Sequence, residues 1–238
     1  MLRRAFLLVL ALLFSGAASA PAMADGVRVS PVAIAFPAVA GSGSVRIDNG
    51  RATAVSFQID VYRWTQVDGV DVLTPTRDVA VAPTVFEIAP GAGRIVRLAL
   101  APSQRGAQSE QSFRLIAREL PQDAVSSGRS RVVLELSLPV FATVRGGAPQ
   151  LDVRREHGAV HVSNNGLAHM RLLDMRGEPH AAAIERAPRY ILAGSQFSRP
   201  LPSNPAALRF SFIAAGANET VQQTFQLTDP AALVARAR

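Results

Sequence analysis

The side chains that could open a reaction are few, and their spacing argues against one. His157 and His161 stand four apart with Gly158 between them, in surroundings that read as strand and turn. On a strand that separation leaves them on one face but far apart, and no acidic ligand joins them in a metalloprotease pattern. With His169 and His180, they read as solvated strand-end histidines. Gly41-Ser42-Gly43-Ser44 lacks the strand-to-helix setting of a nucleophile elbow. Gly91-Ala92-Gly93 runs into a strand instead of the helix a dinucleotide fingerprint needs. No Asp/Glu pair has the spacing for glycoside hydrolysis. The chain has no cysteine, and all 25 basic residues are arginine. Thiolate chemistry, a Walker-type lysine, a Schiff base and a Ser-Lys dyad are therefore excluded. Neither an enzyme nor a cofactor nor a metal site is expected.

A different chemistry resides in the backbone of one segment, Arg131 to Phe141. Its even positions, Val132, Leu134, Leu136, Leu138 and Val140, are all branched aliphatics, while Val133, Glu135, Ser137, Pro139 and Phe141 make a mixed set. Strand geometry sends the two sets to opposite faces. Pro139 has no amide donor and belongs at a sheet edge. An apolar edge is an aggregation hazard unless it serves a purpose. The purpose that fits is β-augmentation, in which an open backbone supplies hydrogen bonds and alternate side chains fill a partner's pockets.

The elements that must position this strand are themselves strands. Short alternating runs recur at Val27–Phe36 (with Pro31), Ser44–Ile47, Ala54–Trp64, Thr84–Ile88, Arg94–Leu100, Ser112–Leu120 and Arg131–Phe141. About seven strands at this spacing suit a sandwich. The Gly/Pro stretch from Arg145 to Pro149 breaks the pattern, and strands resume at Leu151–Arg154, Ala159–Ser163, Leu167–Leu173, Arg189–Leu192, Leu208–Ile213 and Thr220–Leu227. The fold class is therefore all-β. The division is a leader at 1–24, a first domain at 25–145, a linker at 146–149 and a second domain at 150–238.

The leader follows from Arg3 and Arg4, an apolar run from Ala5 to Phe14, and an Ala-x-Ala site at Ala22-Met23-Ala24. Ala18-Ser19-Ala20 is a rival site, but Pro21 would follow its cut. The run is short of the roughly 20 apolar residues of a membrane span, so export without membrane anchoring is expected. Removing Arg3 and Arg4 takes the formal charge from +7 to +5. The remaining arginines are scattered singly, and aromatics are only 6%. A nucleic-acid footprint would cluster them, so nucleic acid is not expected as a partner.

Val29-Ser30-Pro31-Val32, Ile59 to Trp64 followed by an acidic turn, Pro83 to Gly91 running into Arg94 to Leu98, Phe113 to Pro121, and the Arg131–Phe141 strand occur in a familiar order. In these stretches the sequence resembles the periplasmic pilus-assembly chaperones of the chaperone–usher pathway. The Pro139-Val140-Phe141 and Phe113-Arg114-Leu115 runs look most like the archaic branch, which is associated with spore-coat-U-like subunits. The resemblance implies two immunoglobulin-like β-sandwich domains in an L-shaped arrangement, no cofactor and no catalysis. It implies pilin or spore-coat-U-like subunits and an outer-membrane usher as partners, and a periplasmic location. Self-association through the sticky edge is a further partner to test. Carried over by position, Val132, Leu134, Leu136 and Leu138 insert into an incomplete subunit, each worth about 1.5–3 kcal/mol before association costs.

Better-known members grip the subunit's terminal carboxylate with an arginine in the first strand and a lysine near the end of the last. Those positions here hold Ala33 and Pro139. Hairpin geometry offers a replacement. Ser112–Leu120 and Arg131–Phe141 pair antiparallel, which sets Arg114 opposite roughly Leu138 and Arg118 opposite roughly Leu134, within about two residues. Arg114 then lies at the linker end, where a guanidinium can hold a carboxylate bidentately. Arg97, taken to lie on the neighbouring strand, and Arg118 are the other candidates. A plain intradomain or interdomain ion pair, for example with Glu119 or Asp174, is the competing expectation for both Arg114 and Arg97, and a secreted two-domain adhesin or pilus component is the competing function.

Overall fold

In Val55–Val67 the side chains of Val55, Phe57 and Ile59 are buried while Gln58 is exposed. That is the period-two pattern of a strand with one face on a core. The same alternation repeats through a computed structural model that describes residues 26–121, 133–180, 182–186, 188–201 and 204–227. The leader, its cleavage site and Val132 lie outside these residues.

Two β-sandwiches result, as expected. The first contains β1 (Val27–Ser30), β2 (Ile34–Pro37), β3 (Ser42–Asn49), β4 (Val55–Val67), β5 (Val70–Pro75), β6 (Val79–Ala82), β7 (Val85–Ile88), β8 (Gly93–Leu100), β9 (Gln111–Leu120) and β10 (Glu135–Thr143). One sheet runs β1-β3-β8-β6 and the other β2-β10-β9-β4-β5, with β7 also on β4. Phe57, Phe113, Ile47 and Leu98 fill the space between them. The second contains β11 (Leu151–Glu156), β12 (Ala159–Asn164), β13 (Met170–Glu178), β14 (Ala182–Glu185), β15 (Arg189–Ile191), β16 (Gln196–Pro200), β17 (Ala207–Ala214) and β18 (Val221–Gln226). Its sheets run β11-β12-β16 and β14-β13-β17-β18, with β15 also on β13. Met170, Leu172, Phe197 and Phe210 form its core.

Each sandwich ties one loop with a buried asparagine. Asn49 Nδ2 donates to the carbonyls of Thr53, Ile88 and Ala89 at 2.8, 3.0 and 3.2 Å, and its Oδ1 accepts from the Arg51 amide at 3.0 Å. Asn164 does the same for Ala168, Ile191 and Leu192 and accepts from Gln150 and Gly166. A buried amide answered at both ends fixes loop geometry, because an unanswered one is costly.

Three expectations change in physical detail. The run Val27–Phe36 is two strands: the chain leaves β1 at Pro31, where no amide is available, and crosses to the other sheet as β2. The strand expected from Leu167 begins at Met170, because residues 164–168 form the Asn164 turn, with Gly166 so close to the backbone of 148–150 that a Cβ would clash. β5, β6, β14 and β16 were not anticipated. All are short, and β5 is exposed along nearly all its length, so the burial that creates alternation is missing.

Candidate functional site

β10 pairs antiparallel with β9, Glu135 through Ala142 lying opposite Arg118 through Gln111. On its other side β2 runs parallel to it, but only along Val140 to Thr143. Among the described residues, Glu135 to Pro139 have no strand on that side. The expectation of an edge along the whole strand is thus corrected at the linker end, where β2 covers it.

The backbone parity of the open stretch follows from two bonds. The Glu119 amide donates to Leu134 O, and the Ala38 amide donates to Thr143 O, both at 2.8 Å. Successive residues of a strand direct their backbone groups to opposite sides. Leu134, Leu136 and Leu138 therefore turn theirs to β9. Glu135 and Ser137 turn an N–H and a C=O each to the open side, and Pro139 turns a carbonyl only. Proline stands at the last uncovered position, just before β2 joins, and leaves no donor there.

The side chains grade from closed to open. Val140 is fully buried and Leu138 is 7% exposed, whereas Leu134 and Leu136 are half-buried against the same core. Val27 and Val29 of β1, on the opposing sheet, are also half-buried on that core. The sandwich is thus least sealed where β10 has no neighbour. Leu138 already lies in its own core and gains little from a partner. Leu134 and Leu136 retain the exposed area that a partner could bury, while Val132 lies outside the described residues.

The arginine candidates separate in space. Arg114 stands opposite Pro139, one residue from the expected partner, and Arg118 opposite Glu135. Residues that oppose one another share a face, so Arg114 lies on the face away from the aliphatic row, at the end nearest the second sandwich. Its guanidinium sits 3.8 Å from the centroid of the Trp64 ring, with Asp71 at 3.7 Å. Burial lowers its pKa from the ordinary arginine value, and Asp71 opposes that shift. The competing expectation of an intradomain ion pair is met, but by Asp71, since Glu119 binds Arg51 and Asp174 faces Arg176. Arg118 is at the far end, bonded to Asp60 at 2.6 Å and Glu135 at 2.9 Å. Arg97 is not on a strand beside β9: it is exposed on β8 in the other sheet, between Ser44 and Ala82.

Around Arg114 the two sandwiches close on each other. The Gln66 side chain donates to Tyr190 O at 2.9 Å and accepts from the Leu192 amide at 3.1 Å, and the Arg189 guanidinium bonds Gly69 O. On the other side buried Glu110 accepts from the His169 amide at 3.0 Å and meets His169 Nδ1 at 2.6 Å. Between these clasps lie Trp64, Phe141, Tyr190 and Leu192, with the His169 ring stacked 3.5 Å from Phe141. His169 is therefore an interface residue and not a solvated one. No signal in the sequence marks it, because its partner Glu110 is 59 residues away. A cavity of about 410 Å³ opens beside the interface, with Arg114, Arg189 and Arg199 facing Asp71 and Glu185. Among the described residues no group of three or more His, Asp or Glu could hold a metal ion.

Fold and site together define a two-sandwich protein in which the last strand of the first sandwich is left unpaired along Glu135–Pro139, beside an arginine-lined inter-sandwich cleft. Residues 26–143 match the family of pili and flagellar-assembly chaperones, PapD N-terminal domain. The chain is an assembly chaperone of the chaperone–usher kind. No curated protein matches it in sequence. Solved structures share its fold. A chain of the CsuC–CsuE chaperone–tip subunit pre-assembly complex, from archaic chaperone–usher Csu pili of Acinetobacter baumannii, is 20% identical with a TM-score of 0.67, covering 86% of this chain and 100% of that one. The Salmonella enterica complex of SafA pilin with the SafB chaperone gives 13% identity and 0.66, covering 85% and 96%. The E. coli chaperone DraB gives 13% identity and 0.68, covering 85% and 97%.

Proposed function

We propose that the chain is a periplasmic chaperone of the archaic chaperone–usher branch. It binds an incomplete pilin or spore-coat-U-like subunit by donor-strand complementation and passes it to an outer-membrane usher by strand exchange. The first domain, 25–145, lends its last strand; 146–149 links it to the second, 150–238. The observation that carries this reading is the uncovered stretch Glu135–Pro139, whose backbone points outward beside half-buried Leu134 and Leu136. A subunit strand docking there pairs with Glu135 and Ser137 and seals the two leucines. Full burial of a leucine is worth about 1.5–3 kcal/mol, and at most about a third of that remains available at each of these partly buried positions. Val132 extends the same row. The subunit supplies the rest from its own unfilled core, so no nucleotide energy source is needed.

The terminal carboxylate of the subunit is placed against Arg114. Its guanidinium lies 3.8 Å from the centroid of the Trp64 ring, and Asp71, at 3.7 Å, is too distant for a tight hydrogen bond. Arg118 is engaged by two carboxylates and Arg97 faces away on the other sheet, which makes them poorer anchors. Self-association of the free chain competes for the same edge.

Periplasmic co-expression with a spore-coat-U-like subunit tests the reading. The expected result is a soluble one-to-one complex, with the subunit degraded when expressed alone. A subunit equally stable and soluble without this chain overturns it.

A further inference from the structure

The lending edge begins at an unusual place, beside a charge buried within the sandwich. Glu119, on β9, is 3% exposed, and its carboxylate points to the core side of the sheet, as do Leu115 and Ala117. Arg51, from the β3–β4 loop, meets both of its oxygens, at 2.7 and 3.1 Å. Oε2 also accepts from the Leu134 amide at 3.3 Å, while the Glu119 amide donates to Leu134 O at 2.8 Å. Leu134 is thus held to Glu119 through both backbone and side chain, one residue before β10 starts. Asn49 bonds the Arg51 amide and three nearby carbonyls, which fixes the loop that presents the guanidinium.

We propose that the Arg51–Glu119 pair is a positioning device for the lending edge. It keeps Leu134 and Leu136 in register on β9 while no partner occupies their other side. An isolated edge end with half-exposed leucines frays readily, and a frayed end must be reordered at each capture, at an entropic cost. Only an acceptor on both oxygens serves: an amide at 119 turns an N–H toward either the guanidinium or the Leu134 amide. The inference rests on the reading that this edge receives subunits, whereas the exchange measurement on the free chain does not.

Amide hydrogen exchange on the free full-length chain reads the device directly. In Glu119→Gln and Arg51→Ala the Leu134 and Leu136 amides are expected to exchange at least tenfold faster. Val45 and Leu98, in the facing sheet, should stay within twofold of the wild type. Arg51→Lys, which restores the charge, should recover most of the protection. Unchanged exchange at Leu134 and Leu136, or equal acceleration throughout both sheets, overturns the proposal. So does a variant that loses this protection yet captures a co-expressed spore-coat-U-like subunit as fast as the wild type. Failure of the wild type to capture any subunit would count against the proposed function and leave the exchange result standing.

Discussion

Leu136→Arg should abolish recovery of a co-expressed subunit while leaving the chaperone folded. In the free chain Leu136 is half-buried at the mouth of the sandwich, on the uncovered stretch of β10. A long cationic side chain there extends its apolar stem over the core and carries its charge into water. Stability should therefore fall by only about 1–2 kcal/mol, the range for losing partial burial of one leucine. In the complex that exit is closed. The guanidinium would lie inside a completed subunit core, where an unpaired buried charge costs several kcal/mol, and affinity should fall by about a thousandfold or more. Subunit yield in periplasmic extracts and thermal melting of the purified variant check the two halves. Normal subunit yield would remove β10 from the interface.

Arg114→Ala has the second largest expected effect, and it separates anchoring from strand donation. A charge-assisted hydrogen bond to a carboxylate is worth about 1.5–3 kcal/mol, so capture should weaken by about 10- to 100-fold without being lost. The stack on Trp64 contributes about 0.5–2 kcal/mol to the fold, so melting should drop by only a few degrees. Arg114→Lys keeps the charge but loses the planar fork and its fit to a carboxylate, and should fall between the two. A subunit ending in a C-terminal amide should bind Arg114→Ala and wild type alike. If the unmodified subunit also binds both equally, the carboxylate is not held at Arg114.

The aliphatic row at Leu134, Leu136 and Leu138 was legible in the sequence because a strand writes its two faces into a period of two. The register of the β9–β10 hairpin came out within one residue for the same local reason: one loop joins the two strands. What the sequence concealed depends on distant parts of the chain. β2 covers Val140–Thr143 across about a hundred intervening residues, and nothing near residue 140 signals it. Arg97 was placed on a neighbour of β9, whereas β8 joins the other sheet. His169 and Glu110, like Arg51 and Glu119, are matched pairs 59 and 68 residues apart, whose members look ordinary separately. Pro139 was legible as an edge residue, but its place at the boundary between the open and covered halves of one strand emerges only from the pairing.

Amide hydrogen exchange of Glu135 and Ser137, free and in complex with a subunit, tests strand lending most directly. Their N–H groups point to the uncovered side, whereas the Leu136 amide already faces β9. Fast exchange at 135 and 137 in the free chaperone, slowed at least a hundredfold in the complex while β3 and β8 change little, is the predicted result. Exchange at those two amides that remains fast in a stable complex would contradict it, because the subunit would then be held by some other surface.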